Sequence, residues 1–96
     1  MITKLNVPKD FDPQFTVPYV IQDHTIFIGI QYFGPLPMVG AYVEMEVSYY
    51  MIRFEDHIET GRIEWDPANG ALTYEYMAKA LIILWDPEKK KLNINS

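Results

Sequence analysis

Two segments of this chain alternate apolar and polar side chains with the two-residue period of a β-strand, and this pattern limits the fold more than any other feature. In the segment 24–32 the alternating apolar residues are Ile26, Ile28 and Ile30. In the segment 41–54 the alternation changes phase near Tyr49-Tyr50-Met51. A straight strand of that length would extend for about 46 Å, which is too long for a small domain. We therefore predict two strands, the second with a bend or bulge at the phase change.

Composition places these strands in one small domain of the all-β class. The chain has 96 residues, of which 49% are hydrophobic and 22% charged, so it can fold around one core and is not of the disordered class. It has no cysteine, so disulfides cannot support two smaller domains. Seven Tyr, five Phe and two Trp suit the half-buried surfaces of sheets. We expect a small antiparallel sandwich or barrel of about six or seven strands.

Prolines set the first part of the chain apart. Pro8, Pro13 and Pro18 are evenly spaced. Each proline removes a backbone donor and favours extended backbone in the residue before it. We predict an extended arm over residues 1–18 that packs on its own domain or on a neighbouring molecule. A single β domain over residues 19–96 follows.

The C-terminal third contains two similar Asp-Pro stretches, Ile63-Glu64-Trp65-Asp66-Pro67 and Ile83-Leu84-Trp85-Asp86-Pro87. Asp-Pro is typical of the start of a type I turn, and Asn69-Gly70 after the first pair provides residues that tolerate positive φ. We predict two antiparallel hairpins in series, which together form a meander.

The segment between the two Asp-Pro turns leaves two alternatives open. Good helix formers would permit a short helix over 73–81. Leu72, Tyr74 and Tyr76, however, alternate with polar residues as in a strand. We favour the strand over 73–85 because a hairpin turn is predicted on each side of it.

The residue types that carry catalysis are isolated from one another: the two histidines are His24 and His57, and the serines are Ser48 and Ser96. No serine lies in a glycine-flanked elbow, and the five glycines form no phosphate-binding motif. Glu55, His57 and Glu59 would share one face of a strand, as divalent metal ligands can, but such strings are common in polar turns. We predict no enzymatic activity, no cofactor and no metal site.

The stretch 32–39 combines turn-forming Gly34, Pro35 and Pro37 with an almost complete lack of polar side chains. An apolar turn either folds back onto the core or binds a partner. We predict a protein-binding surface here, extended by the arm and by a second aromatic cluster. Its residues are Tyr32, Phe33, Leu36, Met38, Phe11, Phe15 and Tyr50.

These features predict a noncatalytic protein-protein contact, made by a small structural subunit of a larger assembly such as a phage or virus particle. The partner is another protein or a second copy of the chain, and a homo-oligomer is expected. The net charge of −5 argues against direct nucleic-acid binding. The longest apolar run, Ala80–Trp85, is too short to cross a membrane. The first residues, Met1-Ile2-Thr3-Lys4-Leu5-Asn6, lack the basic start and apolar core of a signal peptide, so we expect a cytoplasmic protein, or one within a virion assembled in the cytoplasm.

An alternative function follows from the uneven placement of the acidic residues. Eight of them lie between Glu44 and Glu75, where only Arg53 and Arg62 oppose them. An acidic surface of this kind can occupy a basic groove on a target protein, including one that normally holds nucleic acid. The alternative is therefore a small acidic inhibitor.

Overall fold

The computed structural model describes residues 2–3, 7–37 and 44–94, and more than half of them are in strands. The main feature is an antiparallel five-stranded sheet with the strand order β1-β5-β4-β3-β2. Its strands are β1 (Ile2–Thr3), β2 (Val17–Ile21), β3 (His24–Pro37), β4 (Glu44–Phe54) and β5 (His57–Trp65). A 3₁₀ turn (Pro67–Asn69), an α-helix, α1 (Tyr74–Leu84), and a two-stranded ribbon of β6 (Trp85–Asp86) and β7 (Lys91–Leu92) follow.

The two faces of this sheet are covered by different parts of the chain. On one face, here called the helix face, α1 and the β6–β7 ribbon pack against the strands. The buried residues of this core are Ile26, Ile28, Tyr50, Ile52, Phe54, Ile63, Met77, Leu81, Trp85 and Leu92. The sheet is not closed, and in the described ranges a helix and a short ribbon cover its core face. The described part of the chain therefore does not show the predicted sandwich or barrel.

The opposite face, here called the arm face, is crossed by the N-terminal arm. Pro13 is buried against Gly29, where a β-carbon would lie 2.6 Å from the Pro13 Cγ. The Phe11 ring lies 5.7 Å from the Tyr49 ring. The described part of the arm thus packs on its own sheet, and a residue larger than glycine at position 29 would displace it.

Burial on both faces explains the change of phase in β4. Val47, Tyr49 and Met51 are buried on the arm face, and Tyr50 and Ile52 are buried on the helix face. A central strand covered on both sides is apolar at successive positions instead of alternate ones. The pairing of β4 with β5 runs without a register shift from position 46 to position 54. β4 therefore has no bulge at positions 49–51, and the phase change does not require a bend there.

The register shift is instead in β3, where it lies between Tyr32 and Gly34. Phe33 is the extra residue, and β3 continues beyond it to Pro37. The prediction that the Gly-Pro stretch ends the strand and forms a turn is therefore wrong. Proline is tolerated in a strand where its nitrogen faces away from a partner, and the bulge produces that orientation, as shown below.

The strand predicted over 73–85 is α1. The Thr73 hydroxyl caps the helix by accepting a hydrogen bond from the Tyr76 N–H at 3.1 Å. Helical spacing places Met77, Ala78 and Leu81 on the buried side of α1. Met77 and Leu81 belong to the core cluster in this arrangement, so the helical alternative holds.

The two Asp-Pro sequences have different structures. Asp66 caps the 3₁₀ turn by accepting from the Ala68 N–H at 2.9 Å, and the chain then enters α1 instead of returning as a strand. Asp86 accepts from the Lys89 and Glu88 N–H groups, at 3.2 and 3.0 Å, in the turn between β6 and β7. These bonds lower the pKa of the Asp86 carboxyl. The predicted meander is wrong because α1 separates the two turns.

The buried Tyr50 restricts its neighbour in β5. Tyr50 pairs with Gly61, and a β-carbon built at Gly61 would lie 2.1 Å from the Tyr50 hydroxyl oxygen and 2.3 Å from ring carbons. Burial, together with the Glu59 charge, raises the pKa of Tyr50. Glu59 also accepts a hydrogen bond from the Leu92 N–H at 2.9 Å, which ties β7 to the sheet.

We predict that Gly61→Ala lowers the free energy of unfolding by roughly 1–3 kcal/mol, because the new methyl group overlaps a rigid, buried ring. Urea unfolding of the purified variant measures this loss. In the Tyr50→Leu background the same change should cost less, because the ring that it meets is gone. A Gly61→Ala variant with the wild-type unfolding midpoint would contradict the described packing of Tyr50.

Candidate functional site

β3 is paired along only part of one side. β2 covers it from His24 to Ile28, and no other described strand pairs with that side between positions 29 and 37. We call this side the open edge. A sheet edge of this kind presents backbone donors and acceptors that can pair with another chain.

The hairpin between β2 and β3 shows which backbone groups face the open edge. Its two-residue turn, Gln22-Asp23, has φ values of 49° and 65°, as a type I′ turn requires. The residues that flank such a turn, Ile21 and His24, exchange backbone hydrogen bonds. The backbone N–H and C=O groups of successive residues in a strand point to opposite edges. As far as the bulge, the even-numbered residues of β3 therefore direct these groups toward the β2 side. The N–H and C=O groups of Ile30 and Tyr32 therefore face the open edge.

The bulge at Phe33 reverses this alternation. Beyond it Gly34 and Leu36 pair with Val47 and Met45, so these two residues direct their backbone groups toward β4. Pro35 and Pro37 then have their nitrogens on the open edge, where a missing N–H breaks no bond of the sheet. Prolines block strand addition at that end, whereas Ile30 and Tyr32 keep their donors.

Two aromatic side chains next to these donors are exposed to solvent. Tyr32 is 58% exposed and Phe33 is 55% exposed. Tyr32 lies on the helix face, and Phe33 lies on the arm face, where its ring is 5.4 Å from that of Tyr49. Exposed aromatic side chains beside free backbone groups are typical of surfaces that bind proteins.

On the helix face the open edge borders a cleft of about 720 Å³, here called the edge cleft. β3 contributes Ile30 and Tyr32 to its wall, and the segment that leads into α1 forms the opposite wall. The lining residues are Ile30, Tyr32, Glu46, Ser48, Trp65, Pro67, Gly70, Ala71, Leu72, Tyr74 and Met77. This volume is in the range of sites that bind small molecules or a few side chains.

Two hydrogen bonds hold the walls of the edge cleft. The Trp65 Nε1–H donates to the Gly70 carbonyl at 2.9 Å and so fixes the indole against the segment that precedes α1. The Tyr74 hydroxyl donates to the Ile28 carbonyl at 3.1 Å, opposite Val17, the first residue of β2. Burial, with a contribution from the Tyr19 hydroxyl, raises the pKa of Tyr74 to about 12.

Among the described residues that line the edge cleft, Glu46 provides the only charged side chain. Its carboxylate accepts a hydrogen bond from the Tyr32 hydroxyl, and this bond raises the pKa of Tyr32. Within the described ranges, no Lys or Arg lies within ion-pair distance of Glu46. The cleft therefore combines apolar and aromatic walls with one negative charge.

The structure places the predicted contact residues in different environments. Tyr32, Phe33 and the half-buried Leu36 lie in β3, and Phe15 is 83% exposed at the end of the arm. Phe11 is half-buried against Tyr49, and Met38 lies outside the described residues. Tyr50 is fully buried in the core and reaches no partner from there.

The sequence did not point to Glu46, Trp65 or Tyr74 as site residues. In the sequence, Glu46 is one of several acidic residues predicted to face solvent. Trp65 and Tyr74 reach the edge cleft only through the tertiary packing of their elements. The only signal in the sequence was the apolar character of the stretch 32–39, most of which lies in β3.

The residues considered for chemistry lie apart from this site. His24 packs edge-on against Phe54, with ring centroids 5.3 Å apart, and His57 lies at the β4–β5 hairpin. In the part of the chain that the structure describes, no three His, Cys, Asp or Glu side chains are grouped so that they could hold a metal ion.

The acidic residues of the segment 44–75 have different surroundings. Glu59 is buried beneath β7, Asp66 caps the 3₁₀ turn, and Glu64 pairs with Arg62 at 3.0 Å. Glu55 lies 3.6 Å from Lys90 at the hairpin end of the sheet. Several of the acids in the segment 44–75 therefore have roles within the fold.

No protein family, no curated protein and no solved structure matches this chain. Of the described residues, none belongs to a helix with the length and apolar character needed to cross a membrane. The assignment of function therefore depends on the geometry of the site.

We predict that ionisation of Tyr74 destabilises the fold at high pH. Because its pKa in the folded chain, about 12, exceeds the ordinary value of 10.0, its stabilising contribution is present below pH 10 and is lost as the pH rises from 10 to 12. Urea unfolding at pH 9 and pH 11 should therefore show a smaller loss of stability in Tyr74→Phe than in the wild type. Equal losses in the two proteins would contradict the burial of the Tyr74 hydroxyl.

Proposed function

We propose that this chain is a noncatalytic protein-contact module that binds a partner protein, or a second copy of itself, along the open edge of β3. The form that we propose is a small structural subunit of a larger assembly, of the kind that phage and virus particles contain. The contact surface consists of Tyr32, Phe33 and Leu36 of β3 with Phe15 of the arm, next to the edge cleft.

The observation that carries this proposal is the exposure of Tyr32 and Phe33 beside backbone groups that no described strand uses. Two exposed aromatic rings contribute apolar area, and the free N–H and C=O groups contribute directional bonds. A partner that covers both would remove solvent from the rings and satisfy the backbone. The buried Tyr50 is not part of this surface.

The arm supports the Phe33 part of this surface on the arm face of the sheet. Phe11 contacts Tyr49, and Tyr49 contacts Phe33, so the exposed Phe33 ring rests on packed aromatic neighbours. A contact residue held in this way loses less conformational entropy on binding than a free side chain does. Several of the acidic residues have partners within the fold, so they give less support to the inhibitor alternative.

We predict that Phe33→Ser disrupts assembly without unfolding the chain. A half-exposed side chain contributes little to the core, so the melting temperature should change by only a few degrees. Size-exclusion chromatography with light scattering, on the purified chain and in a lysate of its source cells, should show a complex larger than the 11.2 kDa monomer for the wild type and a smaller species for Phe33→Ser.

The matched control is Ile83→Ser, which removes a 74% exposed apolar side chain from α1, away from the open edge. This variant should form the same complex as the wild type. A Phe33→Ser variant that assembles normally would contradict the proposed surface, and a wild type that stays monomeric in both settings would contradict the function.

A further inference from the structure

We propose that the open edge and the edge cleft together bind an extended peptide segment of the partner, which adds to β3 as a short strand and places a lysine or arginine side chain in the cleft against Glu46. This inference rests on the proposed function and names the chemistry of the partner.

The backbone of β3 defines where the segment would pair. Ile30 and Tyr32 each present an N–H and a C=O on the open edge, so together they offer four hydrogen-bonding groups to an added strand. Pairing of the added strand is limited at both of its ends. The Ile28 carbonyl already accepts from Tyr74, and beyond the bulge Pro35 and Pro37 have no N–H. The added strand is therefore short, with three or four residues in register.

The pleat of the sheet then places the segment's side chains. Ile30 and Tyr32 direct their side chains to the helix face, and both line the edge cleft. In an added strand, the residues directly opposite them direct their side chains to the same face. Such a side chain would enter a volume of about 720 Å³ between β3 and the segment before α1. The alternate residues would face the exposed Phe33 on the arm face.

Charge complementarity selects a cation for the cleft. Glu46 is the single charged residue in the described lining, and no described Lys or Arg lies within ion-pair distance of it. The Tyr32 hydroxyl holds one carboxylate oxygen in place, and Trp65 and Tyr74 supply aromatic surface. Lysine and arginine combine an apolar stem with a charged head, so the stem suits the walls and the head suits Glu46.

The test is a selection of random linear dodecapeptides displayed on phage against the immobilised full chain, in parallel with Glu46→Gln and Glu44→Gln. Glutamine at position 46 keeps an acceptor oxygen for Tyr32 and removes the charge. Glu44 is an exposed acid two residues earlier in the same strand and does not line the cleft, so Glu44→Gln is the matched control. Melting temperatures establish that all three proteins are folded.

We expect the wild type and Glu44→Gln to enrich peptides with a lysine or arginine among β-branched or aromatic residues. An enriched peptide should bind Glu46→Gln at least roughly tenfold more weakly, the loss expected for a hydrogen bond to a charged group. In the complex, hydrogen exchange should slow at the Ile30 and Tyr32 amides. Failure to enrich any peptide, enrichment of the same peptides on Glu46→Gln, or protection confined to other amides would overturn the proposal.

These results can be separated from those that test the proposed function. If Phe33→Ser loses its complex and no peptide is enriched, the contact surface stands and the strand-addition mode is wrong. If basic peptides bind through Glu46 and Phe33→Ser assembles normally, the peptide site stands and the assembly role is wrong.

Discussion

The fold depends on the burial of β4 on both faces. Tyr50 and Ile52 are buried on the helix face, and Tyr49 and Met51 are buried on the arm face, so the strand contributes side chains to both layers. The close contact of Tyr50 with Gly61 brings β5 into the same layer. With only 96 residues, the chain obtains a core on each side of one sheet because a helix covers one face and a proline-containing arm covers the other.

This double burial also explains which features could be predicted from the sequence. The period-two segment from position 24 gave the start of β3 correctly, because one face of that strand is buried and the other is only partly covered. The same rule failed in β4, where apolar residues at successive positions reflect two packed faces and do not reflect a bend. In α1 the helical capping by Thr73 and the burial of Met77 and Leu81 outweighed a short alternation that favoured a strand.

The candidate site was predictable only as an apolar stretch. Tyr32 and Phe33 could be chosen from the sequence because large aromatic residues next to Gly and Pro are unusual in a core strand. The open edge could not be predicted from the sequence. Its prediction requires knowing that the pairing of β2 with β3 stops at Val17 and Ile28, and that the arm before Val17 crosses the sheet face and does not extend β2. The same tertiary arrangement places Glu46 in the edge cleft with Trp65 and Tyr74.

The prolines along the sheet edges determine which edge positions can donate a backbone hydrogen bond to another strand. Pro18 pairs opposite Phe27 at a position where β2 turns its own backbone outward, so the outer edge of β2 lacks a donor there. Pro35 and Pro37 have the same effect in β3 beyond the bulge. On the outer side of β5, β1 pairs at Arg62 and Ile63, and Ile58 remains exposed near the hairpin.

Between the blocked positions of β2 and β3, Ile30 and Tyr32 keep donors that border both a cleft and an exposed aromatic pair. The bulge at Phe33 turns the nitrogens of Pro35 and Pro37 to the open edge, so this end of the edge cannot donate to an added strand. The part of the edge that adjoins the edge cleft keeps its donors, as the addition of a short strand requires.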